Sequence, residues 1–325
     1  MNVIQITLQN DEKLAFSCDL HFDNRTPESR VDDIMETARR KLEDMLKKCQ
    51  ERNVKHLFFE GDLVNRLQIS YEAINSLGET LLAFKDAGIE LYTICGNHDI
   101  LRNSMEKLER SPIQTLFTFG VIKHINLSTR VIINKKVMIT PVDYTEYPPK
   151  ADETASVNIL LAHMFYNAND LIADERHNLT KDVVRKLGYD VIFLGHDHEE
   201  YPITQCGKTW VVRSGSILRG TAHNYNFRRK PKFIVLHDLE NICEDTLEKV
   251  ELDHRPYEDI ASSYVLNRKQ MSSISGLQDV LSNLAEKLSE SSTADGDRIW
   301  DIINTDPDLS PECRAVLLKY INESE

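Results

Sequence analysis

Five apolar runs in this chain end on short polar segments drawn from a narrow set of residue types. Residues 14–18 lead into Asp19-Leu20-His21, residues 54–59 into Gly61-Asp62, and residues 89–95 into Gly96-Asn97-His98-Asp99. Further on, residues 157–162 deliver His163, and residues 191–194 deliver Gly195-His196, with His198 two positions later. Short apolar runs closed by glycine read as buried strands. Stretches with helical spacing lie between them. The pattern predicts an α/β or layered mixed-sheet fold whose strand-end loops carry the site.

Local signals fill in the intervening elements. Residues 2–8 and 13–18 read as two strands joined by the turn-prone Asn10-Asp11-Glu12. Thr26-Pro27-Glu28 predicts a helix start, with Thr26 as N-cap and Pro27 first in the helix. Val31, Ile34, Met35, Ala38, Leu42, Met45 and Leu46 then recur at helical spacing as far as Cys49. A second helix is expected over 70–87, closed by Gly88, and a third from Thr180 to Leu187, closed by Gly188. Residues 131–140, 210–212 and 233–236 read as further strands. Beyond about Leu252 the chain turns polar and serine-rich. Helical spacing persists over 262–289, and Ser310-Pro311-Glu312 opens a last amphipathic helix that could pack on its own domain or dock a partner.

Composition narrows the class. With 325 residues, 41% hydrophobic and 28% charged, the chain can bury one large core and a small appendage. No apolar run approaches the roughly 20 residues that span a bilayer, and the first ten residues lack the pattern of a signal peptide. Six cysteines without paired spacing predict free thiols and a cytoplasmic-type compartment. The net charge of −13 disfavours a long basic nucleic-acid groove, and from Glu251 onward fifteen acidic side chains face seven basic ones. The cluster Arg228-Arg229-Lys230-Pro231-Lys232 could be either a solvated loop or a phosphate-contacting patch.

The strand-end residues suit divalent metals of the manganese, iron or zinc kind, which accept imidazole nitrogen and carboxylate or amide oxygen. Asp19 and His21 are two apart, so an extended strand end puts them on one side. Asp62 follows a glycine, which suits an oxygen shared between two ions. Asn97 offers a neutral amide oxygen, and His163, His196 and His198 offer imidazoles. Two ions about 4 Å apart can generate a hydroxide and neutralise a phosphate during in-line displacement. The leaving alkoxide still needs a proton, and His98, beside a ligand without being needed as one, is the natural donor. Cys18 and Cys95, just before site segments, read as small fillers.

This ordered set resembles the calcineurin-like metallophosphoesterase superfamily over roughly residues 13–240. The resemblance implies a β-sandwich of two layers flanked by helices, with a dinuclear centre at the strand ends. It would place Asp19, His21, Asp62 and His198 on one ion, and Asp62, Asn97, His163 and His196 on the other. The Gly-Asn-His-Asp segment, the 35-residue interval from Asp62 to Asn97 and the acidic tail are similar to the SbcD-like repair nucleases, and most of all to the small-subunit type of T-even-phage recombination endonuclease. That likeness implies manganese, a DNA substrate and an SMC-like, Rad-type (SbcC-like) ATPase partner. It also implies a domain over 1–250, a capping or partner-binding region over 251–325, and a possible homodimer. One position departs from the pattern. Asn65 stands where relatives carry a His or Asp that supports the catalytic histidine, and an amide cannot supply charge to an imidazolium. Arg66 next to it could bind a phosphate or form a salt bridge. Two other functions fit the same residues: a stand-alone small-nucleotide phosphodiesterase or phosphatase, and a scaffold that holds metal without catalysis.

Overall fold

The computed structural model describes residues 2–101, 104–167, 178–263 and 265–266, and Met1–Ile260 form one compact unit. The helices expected past residue 262 lie almost wholly outside the described residues. The first two strands, β1 (Asn2–Ile6) and β2 (Lys13–Ser17), are separated by a turn in which Asp11 takes φ 71°. They do not pair with each other; the turn carries the chain from one sheet to the other.

The first helix, α1 (Ile34–Glu51), buries Ile34, Ala38, Leu42, Met45 and Cys49 on one face. It starts seven residues later than Thr26 suggests, with Asp33 accepting the Glu36 N–H at 3.0 Å. Thr26 Oγ1 instead donates to the Asp32 carbonyl and accepts the Ile34 N–H. Arg30, 4% exposed, turns inward to Asp32 and to the Arg219 carbonyl. Long-range partners for these side chains override the local proline signal.

Next come β3 (Val54–Phe59), α2 (Tyr71–Asp86, capped by Ser70), β4 (Glu90–Thr93), the short α3 (Ile113–Thr118) and β5 (Lys123–His124). The single strand expected over 131–140 is in fact two, β6 (Thr129–Ile133) and β7 (Val137–Val142), paired antiparallel. Asn134 and Lys135 turn between them at φ 51° and 60°, within the polar loop Asn134-Lys135-Lys136 that joins the paired Ile133 and Val137. The chain continues through β8 (Val157–His163), β9 (Phe165–Asn167), β10 (Asn178–Thr180), α4 (Lys181–Leu187) and β11 (Val191–Gly195). The last strands are β12 (Thr204–Cys206), β13 (Thr209–Val212), β14 (Lys232–Leu236) and β15 (Leu247–Glu251).

Among the described residues these strands form a seven-stranded sheet in the order β1-β6-β7-β8-β11-β13-β12, a six-stranded sheet in the order β15-β14-β2-β3-β4-β5, and the small pair β10-β9. The two large sheets pack face to face, and the Phe16 and Phe193 rings stack across the gap at 3.7 Å between centroids. Alternation along each strand divides the side chains between cores. Phe58 joins the sandwich interior, while Leu57 and Phe59 pack against α1 and α2. Ile159 and Leu161 point inward, while Leu160 and Ala162 face α4. The result is a four-layer α/β sandwich. Because β2, β3 and β4 run parallel, as do β8 and β11, their C-terminal ends gather at shared edges, where α/β folds bind ligands.

Candidate metal centre

All the strand-end residues named from the sequence meet at that edge. Pairing of β8 with β11 sets Gly195 opposite His163. Glycine is required where these loops touch. A Cβ on Gly96 would lie 2.1 Å from Asp62 Oδ1, and one on Gly195 would lie 2.4 Å from the Glu60 carbonyl. The backbone is strained here too: Asp19, His21, Asp62 and His196 all take positive φ, at 50°, 49°, 51° and 89°. Half of the non-glycine residues in that region of conformational space, among those described, are thus predicted site residues. The surrounding hydrogen bonds hold them in it.

Two groups of donor atoms converge, Asp19-His21-His198 and Asp62-His163-His196, each within 4.8 Å, and a third, His21-Asp62-His98, overlaps both. In the first, His21 Nε2 is 2.8 Å from His198 Nε2 and 3.8 Å from Asp19 Oδ1. In the second, His163 Nε2 is 3.1 Å from Asn97 Oδ1 and 3.3 Å from Asp62 Oδ2. Asp62 Oδ2 also lies 3.6 Å from His21 Nε2, so this one oxygen stands between the two groups. Its companion Oδ1 is occupied, accepting the His98 N–H at 2.8 Å. Asp19 accepts the His196 N–H on both oxygens at 3.1 Å.

Tautomers follow from the outer contacts. His163 Nδ1 must donate to the Glu60 carbonyl 2.7 Å away, which leaves Nε2 facing the cluster. Burial pushes His21 down to about 3 despite the nearby Asp62 carboxylate, so its imidazole is neutral at physiological pH. Asp19 is shifted upward, chiefly by burial. Burial opposes ionisation of Asp62 as well, but the His163, His21 and His98 rings outweigh it and hold this carboxyl well below the usual range. Burial also opposes the charge on His163, yet Asp62 and Asp19 lift it to about 10. Two carboxylates no more than 1% exposed, ringed by imidazoles and with no lysine or arginine ion pair among the described residues, are the donor set of a divalent cation site. His21 turns Nε2 to the cluster, while its Nδ1 is buried without a hydrogen-bond partner.

The family model for calcineurin-like phosphoesterases matches residues 13–200, more than half the chain. The chain belongs to this family. Within it, this phosphoesterase is 31% identical over 120 residues to the DNA double-strand break repair protein Mre11 of Methanopyrus kandleri, a match covering 36% of the chain and 25% of that relative. Solved structures with a similar fold include TT1561 of Thermus thermophilus, with TM-score 0.46, 10% identity and 74% of this chain covered against 98% of that one. A dimetal phosphatase from Danio rerio gives TM-score 0.48, 11% identity and 72% against 94%.

Around this phosphoesterase centre, several side chains take roles their sequence context does not specify. His98 Nδ1 donates to the main-chain carbonyl of Asn65 at 2.6 Å, while the Asn65 amide reaches Asp23 at 2.9 Å. The amide therefore does not touch the imidazole, and a missing charge at position 65 is not felt there directly. Arg66 forms the salt-bridge alternative, its Nε 2.8 Å from Asp23, itself 2% exposed. Asp23 was not legible as functional; its only sequence signal is a position two beyond His21. Asp99 closes the Gly-Asn-His-Asp segment by accepting the Val64 and Gly96 N–H groups, and burial with the nearby Asp62 pushes it to about 8. In the basic cluster at 228–232 Arg228 is exposed, while the other three cations are engaged by the protein. Arg229 is 6% exposed and binds the Ser216 and Leu218 carbonyls, Lys230 pairs with Glu251, and Lys232 pairs with Glu200. Cys18, packed on Ser214 and Gly215, and Cys95 are buried free thiols, as are Cys49 and Cys206; Cys243 is a free thiol too, and Cys313 lies outside the described residues. Among the described residues no helix is long and apolar enough to cross a membrane.

Proposed function

We propose that this metal-dependent phosphoesterase acts on DNA, as a dinuclear-metal exo- and endonuclease subunit in end processing, recombination and repair. The observation that carries the finer reading is the likeness to a double-strand break repair protein, joined to a centre that contains every donor the sequence nominates. Asp19, His21, Asp62 and His198 would hold one ion and Asp62, Asn97, His163 and His196 the other, with Asp62 common to both and manganese as the native metal. When bound, two such ions polarise the phosphate and activate water for in-line attack.

The protein's residues supply the rest. His98 keeps its Nδ1 proton on the Asn65 carbonyl in either protonation state, which leaves Nε2 as the atom that gives a proton to the leaving oxygen. A cavity of about 530 Å3 lined by Asn65, Arg66, Asn97 and His98 adjoins that position. Arg66 can meet a phosphate there while anchored by Asp23. Asp23 is a positioning residue, since it fixes the 65–66 segment that presents the carbonyl. The acidic surface fits a division of labour in which an SMC-like ATPase partner brings the basic DNA-binding surface and residues 251–325 grip that partner. The free thiols support a reducing, cytoplasmic setting.

Burial of Arg229 and the ion pairs of Lys230 and Lys232 favour a second reading, a stand-alone phosphodiesterase acting on small nucleotides. Manganese-dependent degradation of linear double-stranded DNA by the purified chain, with Asp62→Ala as control, separates the two. Nucleolysis lost in the variant establishes the nuclease. Asp62-dependent hydrolysis of small diesters, with DNA left intact even when a cognate ATPase is added, establishes the second reading.

A further inference from the structure

On the His196 flank of the centre lies a second cavity, of about 440 Å3, lined by Phe165, Tyr166, Asp197, Tyr201 and Arg213 among others. It shares no lining residue with the cavity beside His98. Phe165 links it to the metal centre. The residue is 39% exposed, and its ring centroid lies only 4.0 Å from that of His196. A planar group lodged against Phe165 would therefore sit next to whatever occupies the centre.

The charge of the cavity restricts what that group can be. Arg213 is 9% exposed, with its guanidinium carbon over the Tyr201 ring at 3.6 Å and over Tyr166 at 5.2 Å. It is 3.8 Å from Asp197 and donates to the Tyr166 carbonyl. This cation is enclosed and neutralised, so among its described lining residues the cavity offers no unpaired positive charge to a phosphate. It offers aromatic walls, held rigid by the Arg213 stack, and a carboxylate at Asp197. Such a lining suits an uncharged heteroaromatic ring with amino or imino donors on its edge. The phosphate-compatible cation, Arg66, lies in the other cavity, on the His98 side.

We infer that this cavity is a nucleobase subsite: the base of the nucleotide adjoining the scissile phosphate stacks on Phe165 and is read at its edge by Asp197. The inference rests on the phosphodiesterase reading of the adjoining centre and specifies the substrate class beyond it, since an alkyl or sugar phosphate would leave the cavity empty. It also requires the base to be unpaired when it enters, so frayed ends and single strands are the preferred form of a DNA substrate.

The test compares two chromogenic diesters on the full, manganese-loaded chain: the p-nitrophenyl ester of thymidine 5′-monophosphate, and methyl p-nitrophenyl phosphate, which has no base. A parallel titration follows quenching of 2-aminopurine deoxyriboside monophosphate fluorescence by the metal-free chain. The wild type is expected to prefer the thymidine ester and to quench the probe. Phe165→Ala and Phe165→Leu lower the ratio of kcat/KM for the two esters about ten-fold, mainly through KM, and Phe165→Trp retains it. An equal fall on both esters would show that the ring merely props His196 and would overturn the subsite. So would a wild type without preference or quenching, even if it hydrolyses both esters. Quenching that is lost in Phe165→Ala, in a chain that cleaves neither ester, keeps the subsite and rejects the phosphodiesterase reading instead.

Discussion

At residue scale, the centre illustrates how much of catalysis is orientation. His98 is held by a carbonyl, so the side chain at position 65 matters less than the path of the main chain there, and that path is set by Asp23. Asp23→Ala is expected to lower kcat on a small diester about 10- to 100-fold, the usual cost of losing an outer partner. Asn65→Ala should cost less, because the carbonyl survives. Steady-state kinetics on both variants check the order. Protonation gives a second prediction. Without metal, the His163 imidazole holds its proton up to about 10, whereas a ligand must be neutral. Loading manganese at pH 8 should therefore release a proton, and the observed binding enthalpy should vary with the ionisation enthalpy of the buffer. Affinity should fall as pH is lowered, because protons then compete more strongly for the same nitrogen.

At the scale of elements, strand ends were readable because a buried strand and its polar terminus leave opposite marks in sequence. The limits of α1 were not, because Arg30 and Thr26 find partners far away or across the turn. The β6-β7 hairpin did leave a mark, the polar Asn134-Lys135-Lys136 between two apolar stretches, but the apolar flanks read alike for one strand or two. Contact between strand ends imposes a packing limit. Gly195→Ala would drive a methyl into the Glu60 carbonyl, the same carbonyl that orients His163. We expect it to destabilise the fold by about 1–3 kcal/mol in urea unfolding and to weaken metal binding together with it.

At the scale of the whole molecule, two buried charge systems shape stability. Chelation should lower Tm, because metal binds the folded chain, in which Asp19 and Asp62 are brought together. The second system lies under α1, where Lys41, 5% exposed, donates to the Asp253 carbonyl in the company of Arg219, Arg30 and Arg229. Burial first, and then these cations, push Lys41 down to about 7, whereas in the unfolded chain it stays near 10.5. Between those values the unfolded chain binds the extra proton, so this site's destabilising contribution is full below about pH 7 and fades as pH rises. Lys41→Met should raise Tm more at pH 6 than at pH 10, measured by thermal unfolding at each pH. What the sequence determined alone was the set of metal-type donors, the α/β class and the kind of chemistry. These depend on residue type and local periodicity, which short segments carry in full. Only tertiary structure decided which Asp62 oxygen stands between the two groups, which atom holds His98, that Arg66 is anchored by Asp23, and that Phe165 fronts a cavity beside His196. Each of these is a meeting of side chains and main chain fixed by how two sheets register against each other, and no local pattern records it.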